Sequence, residues 1–192
     1  MTASRLLPRL LIAITFIACY ALSTGASAQI VSQNSAGAVV STPQVRAELM
    51  AHAPDGVAPG KAVWVGLQLT HRPEWHTYWK NSGDSGLPTQ LAWTLPPGVT
   101  AAAIGWPIPK KIPIGNLANY GYEGTVLLPV ALTVAPDFKP PLLGSELDVR
   151  LKASWLVCRK ECIPEDGEFV LKIPLQRSTG LHRAAFDAAQ AA

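Results

Sequence analysis

Two cysteines separated by three residues, Cys158 and Cys162 in "ASWLVCRKECIPEDGEF", are the side chains of this 192-residue sequence best suited to chemistry. Three uses fit such a pair. As a staple it would close a ring of about five residues, which in the chain-entropy model stabilises by roughly 2 kcal/mol, less than half the gain from a long-range bridge. As a metal clip, two thiolates suit soft Cu(I), but a structural zinc needs four ligands, and His52, His71, His76 and His182 have no spacing that completes a set. As a dithiol that exchanges electrons, the pair benefits from its short ring, because short rings restrict the disulfide and leave it more reducible. Arg159 and Lys160 lie between the sulfurs and favour thiolate, while Glu161 and Glu165 oppose them. The residues favour exchange and leave the other two uses open.

The compartment sharpens the choice. Arg5 and Arg9 precede the apolar run "LLIAITFIACYAL", and the small residues "STGASA" follow it, the pattern of a secretory leader with cleavage after Ala28. Residues 1–28 are therefore read as a signal peptide and the mature protein as periplasmic. Cys19 falls inside the leader; "FIAC" loosely resembles a lipoprotein box, which makes lipidation the lesser alternative. Losing two arginines with the leader leaves fourteen basic residues against thirteen acidic, and nothing in that balance points to nucleic acid. Roughly 160 remaining residues can bury a core without disulfides, so the single pair needs a reason other than stability.

The elements that must position the pair read as short strands. "QVRAELM" and "AVWVGLQLT" alternate, with Val63, Val65, Leu67 and Leu69 on one face; "TQLAWTL", "VTAAAI" and "TVLLPVALTV" follow, bounded by turn-forming residues. Pro129 within the last run marks an edge or a bulge. In "ELDVRLKASWLV", Leu147, Val149, Leu151, Ala153 and Trp155 alternate with polar residues, and "EFVLKIPL" alternates again. The two are expected to pair as a hairpin with the cysteines at its tip. Seven or so strands, seventeen prolines and fifteen glycines predict an all-β protein, an immunoglobulin-like antiparallel β-sandwich. Residues 29–43 read as a flexible N-terminal arm, 44–176 as the folded domain, and 177–192 as a tail able to form a short helix.

"HTYWKNSGDSGLPTQLAW", "NYGYEGTVLLPVALTV" and "WLVCRKECIPEDGEF", in this order, resemble the N-terminal periplasmic domain of DsbD-type thiol:disulfide interchange proteins, closest to the suppressor-of-copper-sensitivity branch. The resemblance implies a redox-active pair on an immunoglobulin-like domain with no bound organic cofactor. It implies a thioredoxin-like electron donor, reduced through a membrane reductase, and as acceptor a periplasmic disulfide isomerase or thioredoxin-like protein. Matched residue by residue, Cys162 is the attacking sulfur and Cys158 the resolving one, with Pro164 and Glu165 matching the proline and acid that follow. His76 and Tyr78 fall where the family places aromatic neighbours of the sulfurs. "NLANYGYEG" falls at the family's cap loop, which assigns Asn119, Tyr120 and Tyr122 to cover the disulfide.

Lacking a second apolar span and a thioredoxin-like CxxC, the chain is expected to draw its electrons from another polypeptide or from further parts of a longer protein. Two alternatives belong to other classes: a non-catalytic immunoglobulin-like binding module with a structural disulfide, and a copper-binding periplasmic protein. Trp64, Trp93, Trp106 and Trp155 read as core or rim. "NSGDSGLP" reads as a turn-rich loop with Asp84 as a turn former, and Lys110 and Lys111 as solvated residues of a proline-stiffened loop.

Overall fold

Alternation of apolar and polar residues builds two layers. The computed structural model describes residues 37–140 and 144–191. Eleven strands run in the order β1 (Val39–Ser41), β2 (Val45–His52), β3 (Val63–His71), β4 (His76–Gly83), β5 (Gln90–Thr94), β6 (Val99–Ile104), β7 (Lys110–Ile114), β8 (Leu117–Glu123), β9 (Thr125–Val134), β10 (Glu146–Cys158) and β11 (Cys162–Pro174), followed by helix α1 (Arg183–Ala191). One sheet has the order β1-β2-β3-β9-β6 and the other β11-β10-β4-β8-β7, with β5 also paired to β10. This is the antiparallel immunoglobulin-like sandwich that the pattern predicts. The expected leader, residues 1–28 with Cys19, lies outside the described residues, as do residues 29–36 of the expected arm.

The period-two sets face each other across the interior. Ala47, Leu49, Val65, Leu67, Leu128 and Val130 of the first sheet meet Leu147, Val149, Leu151, Trp155 and Phe169 of the second, all buried. The outer face of the first sheet is also covered: Phe186 of α1 packs on Met50 and Leu127, with Trp64 at the margin. The tail therefore folds because a sheet face carries apolar residues that need a partner. Among the described residues no helix is long and apolar enough to cross a membrane.

Two departures from expectation, and the choice between the two places expected for Pro129, have local causes. Residues 37–43 are not a flexible arm: β1 pairs with β2, Gly37 accepts from the Val170 amide at 3.1 Å, and the Thr42 hydroxyl reaches Glu165. Pro129 is not at an edge, since β9 lies between β3 and β6; it sits beside an irregularity in the β6–β9 register, where the missing N–H does no harm. "NLANYGYEG" is not a loop but largely strand β8, the second arm of a hairpin with β7 that places Lys110 and Lys111 on a strand. Gly121 permits this, because a Cβ there would stand 2.1 Å from the Thr77 carbonyl oxygen.

Candidate active site

The hairpin β10–β11 holds register along its whole length, from Glu146↔Pro174 to Cys158↔Cys162, so the two cysteines are a directly opposed pair at the tip. They form a disulfide, and Arg159, Lys160 and Glu161 make the turn, closed by the Arg159 amide donating to the Glu161 carbonyl at 3.0 Å. The sulfurs differ in surroundings: Cys158 is 1% exposed, whereas Cys162 is an exposed residue. Of the two, Cys162 is the residue open to solvent and Cys158 the enclosed one.

Burial of Cys158 follows from its neighbours. Leu147 to Val157 point every second side chain at the core, so Cys158, one residue out of phase, lies on the outer face of the sheet. His76 of β4 is its register partner and shares that face, as does Tyr78 two residues on. His76 and Tyr78 are 2% and 1% exposed. The cover over Tyr78 comes from residues 84–88, directly after β4. Gly86, at φ 96°, lies so close that a Cβ would be 2.3 Å from the Tyr78 ring, and Pro88 makes a bridge to Tyr78. Asp84 fixes the loop by accepting from the Ala118 amide at 2.7 Å, and Ser85 donates its amide and hydroxyl to Asn119 Oδ1 at 2.9 and 3.0 Å.

Polar contacts connect the layer to Cys162. His76 Nε2 is 3.3 Å from the Tyr78 hydroxyl, and that hydroxyl is 4.0 Å from Cys162 Sγ. Burial lowers the His76 pKa against the opposing charge of Glu123, so the ring is neutral at neutral pH. Burial raises the Tyr78 pKa, with Ser85 opposing, so the phenol keeps its proton.

The other residues expected at the site have different surroundings. Asn119 is fully buried, but its carbonyl oxygen serves loop 84–88. Tyr122 is buried on the core side, and its hydroxyl donates to the Pro107 carbonyl at 2.8 Å; burial pushes its pKa well above the ordinary phenol range. Tyr120 is partly exposed on β8, opposite Lys111. Glu165 accepts from Trp155 Nε1 at 2.8 Å and from the Thr42 hydroxyl at 3.0 Å, tying both hairpin strands to the segment before β2. Arg159 stacks 5.0 Å from the Trp75 ring centroid and pairs with Glu74 at 3.6 Å and Glu161 at 3.7 Å, so two carboxylates share its charge. Residues 84–88 are what the sequence reading missed. Two glycines in eight residues of "NSGDSGLP" signalled a tight approach, but only the fold shows what is approached.

Residues 46–174, most of the described domain, match the family model for the N-terminal domain of the thiol:disulfide interchange protein DsbD. The chain belongs to this family. No curated protein matches it. Among solved structures, the N-terminal periplasmic domain of ScsB from Proteus mirabilis is similar in fold, with a TM-score of 0.55 at 20% identity. The match covers 80% of this chain and 57% of that one, so the present chain spans little more than half of that structure. As a DsbD N-terminal domain, the sandwich is a thiol:disulfide interchange domain, and it carries its disulfide at the hairpin tip.

Proposed function

We propose that this domain relays reducing equivalents in the periplasm, with Cys162 as the sulfur that bonds to partners and Cys158 as the one that resolves. A thioredoxin-like donor, kept reduced by a membrane reductase, attacks Cys162 Sγ through its thiolate; the Cys158–Cys162 bond breaks, and Cys158 leaves with the electron pair and takes up a proton. The donor's second thiolate then attacks its own sulfur in the mixed disulfide and releases Cys162 as a thiolate. Two electrons have then passed from donor to domain, which is left with a Cys158 thiol and a Cys162 thiolate, while the donor closes its own disulfide. Toward an acceptor such as a disulfide isomerase or a thioredoxin-like protein, the Cys162 thiolate attacks the acceptor disulfide, and Cys158 closes on Cys162 to release the reduced acceptor. The leader-like N-terminus and the periplasmic description of the ScsB domain support the compartment.

One observation supports the assignment of roles: of two bonded cysteines at the tip, one is an exposed residue and the other is buried beside His76. Expression of Cys158→Ala in a periplasm should accumulate a mixed disulfide through Cys162 with a thioredoxin-like protein, and Cys162→Ala should accumulate none. Trapping by Cys162→Ala alone would reverse the roles. A disulfide that no thioredoxin-like donor reduces would remove the relay.

A further inference from the structure

Resolution of a mixed disulfide leaves Cys162 as a thiolate, and a thiolate that is also the next attacking group needs its charge stabilised without being quenched. Of the two cations between the cysteines, Arg159 is committed to the Trp75 ring and to Glu74 and Glu161, and Lys160, the nearer in sequence, is solvent-exposed and makes no hydrogen bond to Cys162 Sγ among the described residues. What the structure offers Cys162 Sγ instead is the Tyr78 hydroxyl, 4.0 Å away, held from behind by His76 Nε2 at 3.3 Å. Both rings are buried, Tyr78 beneath residues 84–88, and they are placed edge to face, 5.2 Å between centroids.

The phenol has one proton. While Cys162 is bonded to Cys158 its sulfur is a weak acceptor, and the Tyr78 proton is free to point at His76. When Cys162 is a thiolate the stronger acceptor is sulfur, and the phenol oxygen in turn accepts from a neutral His76 carrying its proton on Nε2. We propose that Tyr78 is a catalytic hydrogen-bond donor to the Cys162 thiolate and that His76 is the positioning residue that holds the Tyr78 hydroxyl toward it. The inference rests on the exchange reading above and adds what makes Cys162 the better nucleophile. The charged and hydrogen-bonding groups around the pair are Glu123, the register partner of His76 on β8; His71, on the strand before; Ser85, at the Tyr78 hydroxyl; Arg159, Lys160 and Glu161 in the hairpin turn; and Glu74, which pairs with Arg159. Among the described residues, none of these makes a hydrogen bond to Cys162 Sγ, which the Tyr78 hydroxyl reaches.

The test reads the thiolate directly and needs no partner. Chemically reduced full-length protein is alkylated with iodoacetamide across a pH series, and modification of the Cys162 peptide is followed by mass spectrometry. Tyr78→Phe keeps the ring and loses the donor. A hydrogen bond to a charged group is strong enough that its loss should raise the Cys162 midpoint by about one pH unit. The rate at neutral pH then falls roughly tenfold, and the high-pH plateau stays unchanged. His76→Gln, whose amide N–H can replace Nε2–H, should keep most of the wild-type midpoint, whereas His76→Phe should shift it as Tyr78→Phe does. The His76 pair reads the proposal independently should Tyr78→Phe not fold. An unmoved midpoint in Tyr78→Phe overturns the proposal. So does an equal loss at every pH, which is a loss of access, and so does an equal shift in both His76 variants. Because the reductant is chemical, none of these outcomes depends on whether a thioredoxin-like donor exists.

Discussion

Two buried histidines set how a single side chain couples this domain to pH. Nδ1 of His71 faces the Gly124 carbonyl at 2.8 Å, which can only accept, so that nitrogen carries the proton; Nε2 then accepts from the Thr77 hydroxyl at 3.0 Å. Burial lowers the His71 pKa, helped by His76 and opposed by the Gly124 carbonyl and Glu123. His76 is lowered by burial too. A histidine whose folded pKa lies below the ordinary 6.5 binds fewer protons folded than unfolded between the two values. Its contribution to stability is thus fully present above about pH 6.5 and is lost as pH falls through the window below. The unfolding free energy from urea titration should therefore decline as pH falls below about 6.5, and that of His71→Gln should decline less steeply. Equal slopes would show that the histidines do not carry the dependence.

The hairpin β10–β11 is the element on which the site stands, and the Glu165 contacts bear on how it is held. In Glu165→Ala the Trp155 indole N–H loses its acceptor inside the sandwich, and Thr42 loses its hold on β11. A buried donor left unpaired costs about 2 kcal/mol, so this variant should unfold at lower denaturant while the pH profile of Cys162 alkylation stays where it was. A moved profile would give Glu165, which the sequence resemblance sets beside the pair, a part in the chemistry. The same hairpin shows what a sequence can reveal. Its strands alternate over most of their length and meet at a short polar turn, so pairing and the tip position of the cysteines follow from pattern alone. Strand β4 hid because its first three residues are buried on both faces: Thr77 meets His71 on one side, and residues 84–88 cover Tyr78 on the other. With no wet face there is no alternation to read. Loop 84–88 was recognisable as a turn from its glycines and serines, but its contact with Tyr78 and Asn119 depends on β8 arriving beside β4, which no local pattern records.

At the scale of the whole domain, the question is how much the fold depends on its one disulfide. The core spans both sheets and is assembled from strands that the bridge does not connect, since Cys158 and Cys162 already face each other as the last pair of a continuous ladder. Reduction therefore removes only the entropy term of a ring of about five residues, roughly 2 kcal/mol. For a domain of this size a melting temperature moves by about 2–4 °C per kcal/mol, so oxidised protein should melt no more than about 8 °C above reduced protein in parallel calorimetric scans. Thermodynamic linkage gives the comparison its functional meaning. Whatever stability the bridge adds to the fold, the fold adds to the bridge, so a small difference keeps the couple easy to reduce while the sandwich stays folded in both states. A difference well above ten degrees would mean that the fold holds the disulfide shut, and the pair would then be a staple on a binding module rather than the exchanging end of a relay.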